Sequence, residues 1–226
     1  LAWKARCTRE RPFSIETTPA IAAQEPEKMQ ALVDGGVDRV SVGIQSANDG
    51  RLQYVNRAQQ IGQSMRALRH LHEAGFARIN ADVIFGLPGQ REYDWIADLD
   101  HVIALAPDSV TTYDCLYRGK GRVLPRRVQA LPSPADYGRF YDLAYERLHA
   151  AGYHAPYGSV NFAKETAETG TSAYFEGRLL DGLPYVGVGN YAASWFADRW
   201  AFAPYGVEAW LRALDAGNLF PVGDAY

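Results

Sequence analysis

Short β-branched segments alternate with longer segments of helical periodicity through the first half of the chain, and this alternation constrains the fold more than any other feature. Apolar residues recur at three-residue spacing within residues 62–74, as on one face of a helix that Gly75 ends. Strands that alternate with such helices are typical of βαβ units in a parallel sheet. The predicted strands are residues 13–17, 39–45, 79–85 and 109–116. They predict an α/β fold, an incomplete TIM-type barrel with parallel strands.

The pattern changes after residue 117. A basic stretch with glycine and proline precedes Leu131-Pro132-Ser133-Pro134, which introduces a predicted helix over residues 134–150. Residues 157–162 predict a further strand, and residues 207–216 a closing helix. These elements predict an α+β extension after the barrel. No low-complexity linker interrupts the chain, which favours one compact unit.

Composition limits the classes of function. The chain of 226 residues is 47% hydrophobic and 12% aromatic, which is enough to bury a core. The net charge of -3 gives no support for binding to nucleic acid. Cys7 and Cys115 are too few for a disulfide framework and have no metal-ligand spacing, so we expect no metal site within the chain and a reducing, cytoplasmic location. We expect no membrane association, because no apolar run approaches the roughly 18 residues of a membrane span.

Polar residues mark the ends of the predicted strands, where the working groups of parallel α/β folds lie. Glu16, Gln45 and Asp82 come from three successive strands, and Arg57 follows in the loop-helix after Gln45. Carboxylates can accept hydrogen bonds from the two hydroxyls of a ribose, and arginine can pair with a carboxylate. The set therefore suits a nucleoside that carries a carboxylate. The alternative is an internal charge network in the mouth of a barrel.

Two further features are less specific. The basic stretch after residue 117 could hold the carboxylates of an anionic substrate, or could be a solvated loop. A strand is expected near residue 185, and Gly187 and Gly189 after it could let the backbone approach a ligand closely, although a turn also explains them. The candidate substrate-binding residues of the basic stretch are Arg118, Lys120 and Arg122.

Several motifs, in order, resemble the central part of radical S-adenosylmethionine (SAM) enzymes of the oxygen-independent coproporphyrinogen III oxidase-like family. They are Ser14-Ile15-Glu16-Thr17-Thr18-Pro19, Arg39-Val40-Ser41-Val42-Gly43-Ile44-Gln45-Ser46, Tyr54-Val55-Asn56-Arg57-Ala58-Gln59, Asn80-Ala81-Asp82-Val83-Ile84-Phe85-Gly86-Leu87-Pro88-Gly89-Gln90, Ser159-Val160-Asn161-Phe162-Ala163-Lys164 and Tyr185-Val186-Gly187-Val188-Gly189. The resemblance implies that residues 1–130 are later strand-helix units of the barrel. Residues 131–226 would be its end and the start of a family-specific C-terminal region.

The resemblance also implies cofactors and their contacts. Glu16, Gln45, Arg57 and Asp82 match positions that contact SAM. A second SAM site is implied near Phe175, Glu176, Gly187, Gly189 and Ala193. The family binds a 4Fe-4S cluster through a C-x-x-x-C-x-x-C loop upstream of the segment that corresponds to Ser14-Ile15-Glu16. Cys7 alone cannot provide that loop, so we expect a fragment that is inactive by itself, or a cluster-free relative.

For the intact protein, the resemblance implies cleavage of SAM to a 5'-deoxyadenosyl radical and oxidative decarboxylation of a propionate in tetrapyrrole biosynthesis. The alternatives are a class C radical SAM methyltransferase or cyclopropanase acting on a heteroaromatic natural product, a haem-trafficking relative, and a cluster-free nucleoside-binding module. The implied partners are a small tetrapyrrole or heteroaromatic substrate and an electron donor such as flavodoxin or ferredoxin. The sequence does not identify a catalytic residue.

Overall fold

The structure, a computed structural model, describes residues 13–115, 131–164, 173–196, 199–218 and 222–225. The chain divides into two compact units, Leu1–Ser172 and Ala173–Tyr226. The expectation of one compact unit was therefore wrong. Residues 134–163 belong to the first unit. The assignment of residues 1–130 to later strand-helix units of the barrel, and of residues 131–226 to its end and a C-terminal region, stays a prediction. Within the described residues, no helix is long and apolar enough to cross a membrane.

The first unit contains a five-stranded sheet in the order β1-β2-β3-β4-β5. The first four strands are parallel, and β5 pairs antiparallel with β4. The strands are β1 (Ser14–Thr17), β2 (Arg39–Gln45), β3 (Arg78–Phe85), β4 (Ser109–Asp114) and β5 (Asn161–Ala163). The helices are α1 (Pro19–Gln24), α2 (Pro26–Asp34), α3 (Asp49–Tyr54), α4 (Ile61–Ala74), α5 (Glu92–Leu105) and α6 (Pro134–Ala150). Parallel strands joined by helices confirm the predicted α/β fold and its incomplete barrel.

Local signals set the ends of the longer helices. Gly75 ends α4 with a positive φ of 84°, a backbone conformation that favours glycine. Ser133 caps α6, because its hydroxyl accepts a hydrogen bond from the backbone N–H of Asp136, and Pro134 occupies the first turn. The predicted helix over residues 134–150 is confirmed with these bounds.

The sheet has one apolar and one polar face, because successive side chains of a strand point to opposite sides. Val42, Ala81 and Val110 lie side by side on the apolar face and are fully buried. They belong to a core that includes Leu68 of α4 and Trp95 of α5. The strand residues between them, which are mostly polar, point to the opposite face. In a barrel that opposite face is the interior.

The second unit is a small α+β assembly. Its three-stranded antiparallel sheet has the order β6-β7-β8. The elements are α7 (Ala173–Leu179), β6 (Ala193–Phe196), β7 (Arg199–Phe202), α8 (Val207–Asp215) and β8 (Val222–Ala225). The strand expected near residue 185 is only a single bridge, in which Tyr185 and Trp195 exchange two backbone hydrogen bonds of 2.9 Å.

Candidate functional site

A hydrogen-bond network on the polar face of the sheet surrounds Asp82. Asn80 donates through Nδ2 to Ser41 Oγ and to Asp82 Oδ1, both at 2.8 Å. Its Oδ1 accepts from Ser109 Oγ at 2.7 Å and from Thr111 Oγ1 at 3.2 Å. Ser41 Oγ in turn donates to Asp82 Oδ2 at 2.8 Å. Side chains from three neighbouring strands thus fix the orientation of one carboxylate.

The Asp82 carboxylate remains able to bind a ligand. Each of its oxygens accepts one hydrogen bond in this network and retains a second acceptor position. Burial raises the pKa of this carboxyl from its usual value, the Ser41 hydrogen bond lowers it, and the charge of Glu16 raises it. Because the charge of Glu16 affects the pKa of Asp82, the two carboxylates lie within electrostatic range of each other. Two further donors, such as adjacent hydroxyls, would complete the coordination of Asp82.

The end of β2 forms an unusual turn at Gln45. The backbone of Gln45 has a φ of 67°, and Ser46 N donates to Ile44 O at 2.9 Å across it. The pairing of β2 with β3 also shifts by one residue between Gly43 and Gln45. Gln59 supports the turn by donating through Nε2 to Gly43 O at 3.0 Å and to Ile44 O at 2.7 Å. A positive φ at a non-glycine residue is a strained state that persists only where its surroundings hold it.

The Gln45 side chain folds back over Gly43. A Cβ atom on Gly43 would lie 2.5 Å from Gln45 Nε2, so only glycine leaves room for this amide. The Gln45 side chain is 9% exposed, and its Oε1 has no hydrogen-bond partner among the described residues. A buried acceptor without a donor costs about 1–3 kcal/mol. Gly43 is the register partner of Asp82, so the Gln45 amide folds over the residue that lies opposite Asp82 in the sheet. The pair can receive donors from one ligand.

A second buried carboxylate lies beneath these loops. Asp98 of α5 accepts from Ser46 Oγ at 2.8 Å and from Ala47 N, both after β2. It also accepts from Gln90 Nε2 at 2.8 Å, and Gln90 Oε1 accepts from Leu87 N at 3.1 Å after β3. Burial raises the pKa of Asp98, and its hydrogen bonds lower it in part. One carboxylate thus contacts the loops that follow both central strands.

Comparison of the sequence with known proteins finds similarity to radical SAM enzymes and their relatives. The sequence model of the radical SAM superfamily matches residues 2–102. An oxygen-independent coproporphyrinogen III oxidase of Paracoccus denitrificans is 30% identical over 145 residues, which are 62% of this chain and 31% of that protein. Heme chaperone HemW of Bacillus subtilis is 26% identical over 160 residues, which are 70% of this chain and 41% of that protein. These matches agree with the predicted resemblance to radical SAM enzymes.

A solved structure confirms the radical SAM fold of the chain. It is coproporphyrinogen III oxidase (HemN) from Escherichia coli, with a TM-score of 0.78 at 23% identity, covering 95% of this chain and 51% of that one. The predicted resemblance to the oxygen-independent coproporphyrinogen III oxidases is confirmed. The chain spans only about a third to a half of the length of these relatives.

The structure places three of the four predicted SAM contacts on neighbouring strands of the five-stranded sheet. Gln45 and Asp82 lie on adjacent strands, and Glu16 is exposed but within electrostatic range of Asp82. The side chain of Arg57 is exposed in the loop after α3. In the described part of the chain, no hydrogen bond or ion pair joins it to the other three. All four assignments to SAM remain predictions.

The residues predicted for a second SAM site belong to the second unit. Gly187 packs against β6, because a Cβ there would lie 2.3 Å from Ala193 O. Gly187 and Gly189 line an apolar cavity of about 170 Å³ together with Trp210. Phe175 and Glu176 lie in α7. Whether this unit binds SAM stays a prediction.

Some predicted groups lie outside the described residues, namely Arg118, Lys120, Arg122 and Cys7. Among the residues that are described, no group of three metal-ligating side chains comes together.

Sequence reasoning missed the residues that support the candidate site. Asn80, Gln59, Gln90 and Asp98 do not occupy strand ends. One signal could have revealed Asp98, because it lies at helical spacing on the face of α5 that also carries Trp95, Leu99 and Val102. A carboxylate on such an apolar face needs partners from elsewhere in the fold.

Proposed function

We propose that this chain is the SAM-binding part of a radical SAM enzyme that performs oxidative decarboxylation, as the oxygen-independent coproporphyrinogen III oxidases do in tetrapyrrole biosynthesis. One observation carries the SAM-binding part of this proposal. The Gln45 amide folds over Gly43, the register partner of Asp82, and its buried Oε1 has no donor among the described residues. The two oxygens of Asp82 each retain an acceptor position. The sheet edge therefore presents acceptors at fixed positions.

The donors of SAM suit these acceptors. Its ribose carries two adjacent hydroxyls, which can donate to the two oxygens of Asp82. Its amino groups can donate to Gln45 Oε1, which would remove the cost of leaving that atom unpaired. Arg57 could pair with the SAM carboxylate if the loop after α3 turned towards the sheet edge. When bound at a reduced 4Fe-4S cluster, SAM supplies the chemistry, because cleavage of its carbon–sulfur bond gives a 5'-deoxyadenosyl radical.

The residues of this chain do not fit the cluster itself. The sequence contains 2 cysteines, and a radical SAM cluster requires three thiolates. We therefore assign to this chain the binding and orientation of SAM and the exclusion of water around it. We assign the cluster ligands to polypeptide outside these 226 residues. The electron donor would be a separate protein, a flavodoxin or ferredoxin. By itself the chain is proposed to be inactive.

The test of SAM binding is isothermal titration calorimetry with the purified protein. Asp82→Asn should raise the Kd for SAM about 10- to 100-fold, since hydrogen bonds to a charged group contribute about 1.5–3 kcal/mol. Asp100→Asn is the matched control, because Asp100 of α5 makes an exposed ion pair with Arg147 of α6 and does not contact the site. Equal affinity of Asp82→Asn and the wild type would contradict the assignment of Asp82 to the ribose.

The reaction is tested with the longer protein that contains this chain. After anaerobic reconstitution, and with SAM, a reductant for the cluster and an electron acceptor supplied, an oxidase should convert a propionate of coproporphyrinogen III to a vinyl group with release of carbon dioxide. The similarity to heme chaperone HemW favours a second candidate, a haem-trafficking protein, which would bind haem without decarboxylating a porphyrinogen. A methylated heteroaromatic product would instead indicate a radical SAM methyltransferase. We propose that the protein acts in the cytoplasm.

A further inference from the structure

Asp98 is a buried charge for which the SAM contacts give no reason. It is 2% exposed on α5, between Trp95 and Leu99, which are both fully buried. An apolar side chain at such a position generally gives equal or greater stability, because the desolvation of a buried carboxylate is costly. Among the described residues, its hydrogen bonds go to loops at one edge of the sheet and none goes to the helical core.

The two oxygens of Asp98 divide between the two loops. Oδ1 accepts from Ser46 Oγ and Ala47 N in the loop after β2. Oδ2 accepts from Gln90 Nε2 in the loop after β3. The loops come from adjacent parallel strands, and the first of them begins at Gln45.

We propose that Asp98 is a positioning residue, which holds the Gln45 turn in its ligand-binding geometry by joining the loop after β2 to the loop after β3. This inference rests on the proposed function, since it assumes that the Gln45 amide receives SAM. It adds a residue that would set the SAM affinity without contacting SAM.

The strain at Gln45 explains why such an anchor is needed. A non-glycine residue with a φ of 67° returns to an extended conformation unless its neighbours restrain it. Gln59 restrains the residues before it, through Gly43 O and Ile44 O. Asp98 restrains Ser46 and Ala47, the two residues that follow Gln45. Without that second restraint the turn can relax, and the Gln45 amide can leave its place over Gly43.

An isosteric substitution breaks this arrangement through hydrogen-bond polarity alone. In Asp98→Asn, Oδ1 can still accept from Ser46 and Ala47, but the new Nδ2 faces Gln90 Nε2, so two donors oppose each other. Rotating the Gln90 amide does not resolve the conflict, because its nitrogen would then face Leu87 N, which now donates to Gln90 Oε1. Adding Gln90→Glu resolves it, because both oxygens of a glutamate accept. The double variant thus moves the charge from position 98 to position 90 and restores complementarity between these two side chains. It loses only the 3.5 Å hydrogen bond from Gln90 Nε2 to Ile84 O.

The experiment compares SAM affinity by calorimetry in the wild type, Asp98→Asn and the double variant Asp98→Asn/Gln90→Glu. The Kd should rise about 10-fold or more in Asp98→Asn and return to within about threefold of the wild type in the double variant. Asp100→Asn should leave the Kd unchanged, since this neighbouring carboxylate of α5 pairs with Arg147 at the surface. Rescue by the second substitution is not expected of a residue that merely fills space.

Leu99→Ala controls for loss of stability, because Leu99 is buried on the same helix and contacts neither loop through a hydrogen bond. If Leu99→Ala weakens SAM binding as much as Asp98→Asn at an equal urea midpoint, the positioning role is overturned. If Asp98→Asn does not fold, Ser46→Ala decides in its place, with a raised Kd supporting the inference and an unchanged Kd overturning it. Absence of SAM binding by the wild type refutes the proposed function. A wild-type Kd in Asp98→Asn refutes only the inference.

Discussion

Gly86 directly follows β3, and its replacement by alanine should destabilise the first unit for two separable reasons. Its φ of 75° lies in the left-handed region, which costs alanine about 1–2 kcal/mol. A Cβ at this position would also lie 2.2 Å from Cε1 and 2.9 Å from the hydroxyl oxygen of Tyr137. Displacing that ring disturbs its edge contact with Phe85 and its hydrogen bonds to Gly86 O and Cys115 O, and overpacking of this kind costs about 1–3 kcal/mol. The expected loss is about 2–5 kcal/mol in total.

Gly89→Ala separates the two causes. Gly89 has a φ of 71°, but nothing lies within 4 Å of the Cβ it would gain, so only the backbone cost of about 1–2 kcal/mol is expected. Hydrogen–deuterium exchange of the α5 amides at increasing urea concentration measures the free energy of unfolding of the first unit separately from the second. Adding Tyr137→Ala should recover part of the loss in Gly86→Ala but none in Gly89→Ala. Equal losses in Gly86→Ala and Gly89→Ala, with no recovery, would refute the argument from the Tyr137 ring.

Two further predictions concern the site. Gly43→Ala should displace the Gln45 amide and raise the Kd for SAM measured by calorimetry. The free energy of unfolding should stay within about 1 kcal/mol of the wild type, because the added methyl meets only the end of a flexible side chain and the strand conformation suits alanine. Gly138→Ala is its control, because open space surrounds the new methyl. An unchanged Kd in Gly43→Ala would contradict the role of the Gln45 amide that packs over Gly43. Burial raises the folded-state pKa of Asp98 above 3.8, so its contribution to stability is complete below that value and is lost as pH rises through the raised pKa. Urea unfolding from roughly pH 4 to pH 7 should therefore show the wild type losing stability relative to Asp98→Asn, and parallel profiles would contradict the raised pKa.

The sequence predicted those parts of the fold that depend on local periodicity. The helix over residues 134–150 was predicted with the bounds that the structure gives, because Ser133 and Pro134 are start signals that act within one turn. The strands that carry Glu16, Gln45 and Asp82 were predicted as well, and with them the edge at which Gln45 and Asp82 meet. Strand ends are local, and their convergence follows from parallel pairing alone.

The remaining features depend on contacts between distant residues. The positive φ of Gln45 is held by Gln59 and Asp98, at 14 and 53 positions along the chain, and no local pattern specifies such a turn. The antiparallel pairing of β5 with β4 and the division between Ser172 and Ala173 are likewise decided by tertiary packing. The strand expected at Tyr185 fails for the complementary reason, because its apolar run finds only one bridge to Trp195.

The same non-local contacts explain how a strained turn can persist at this edge of the sheet. Polar side chains near the Gln45 turn are hydrogen-bonded to other side chains, as Asp82 is to Asn80 and Gln90 is to Asp98. Folding of the protein has already desolvated Gln45 Oε1 and strained its backbone, so a ligand that donates to this atom does not have to supply the free energy for either change. The binding free energy would then not be spent on ordering the loop. This predicts a site whose affinity falls when the supporting network is disturbed, even where every residue that contacts the ligand is intact.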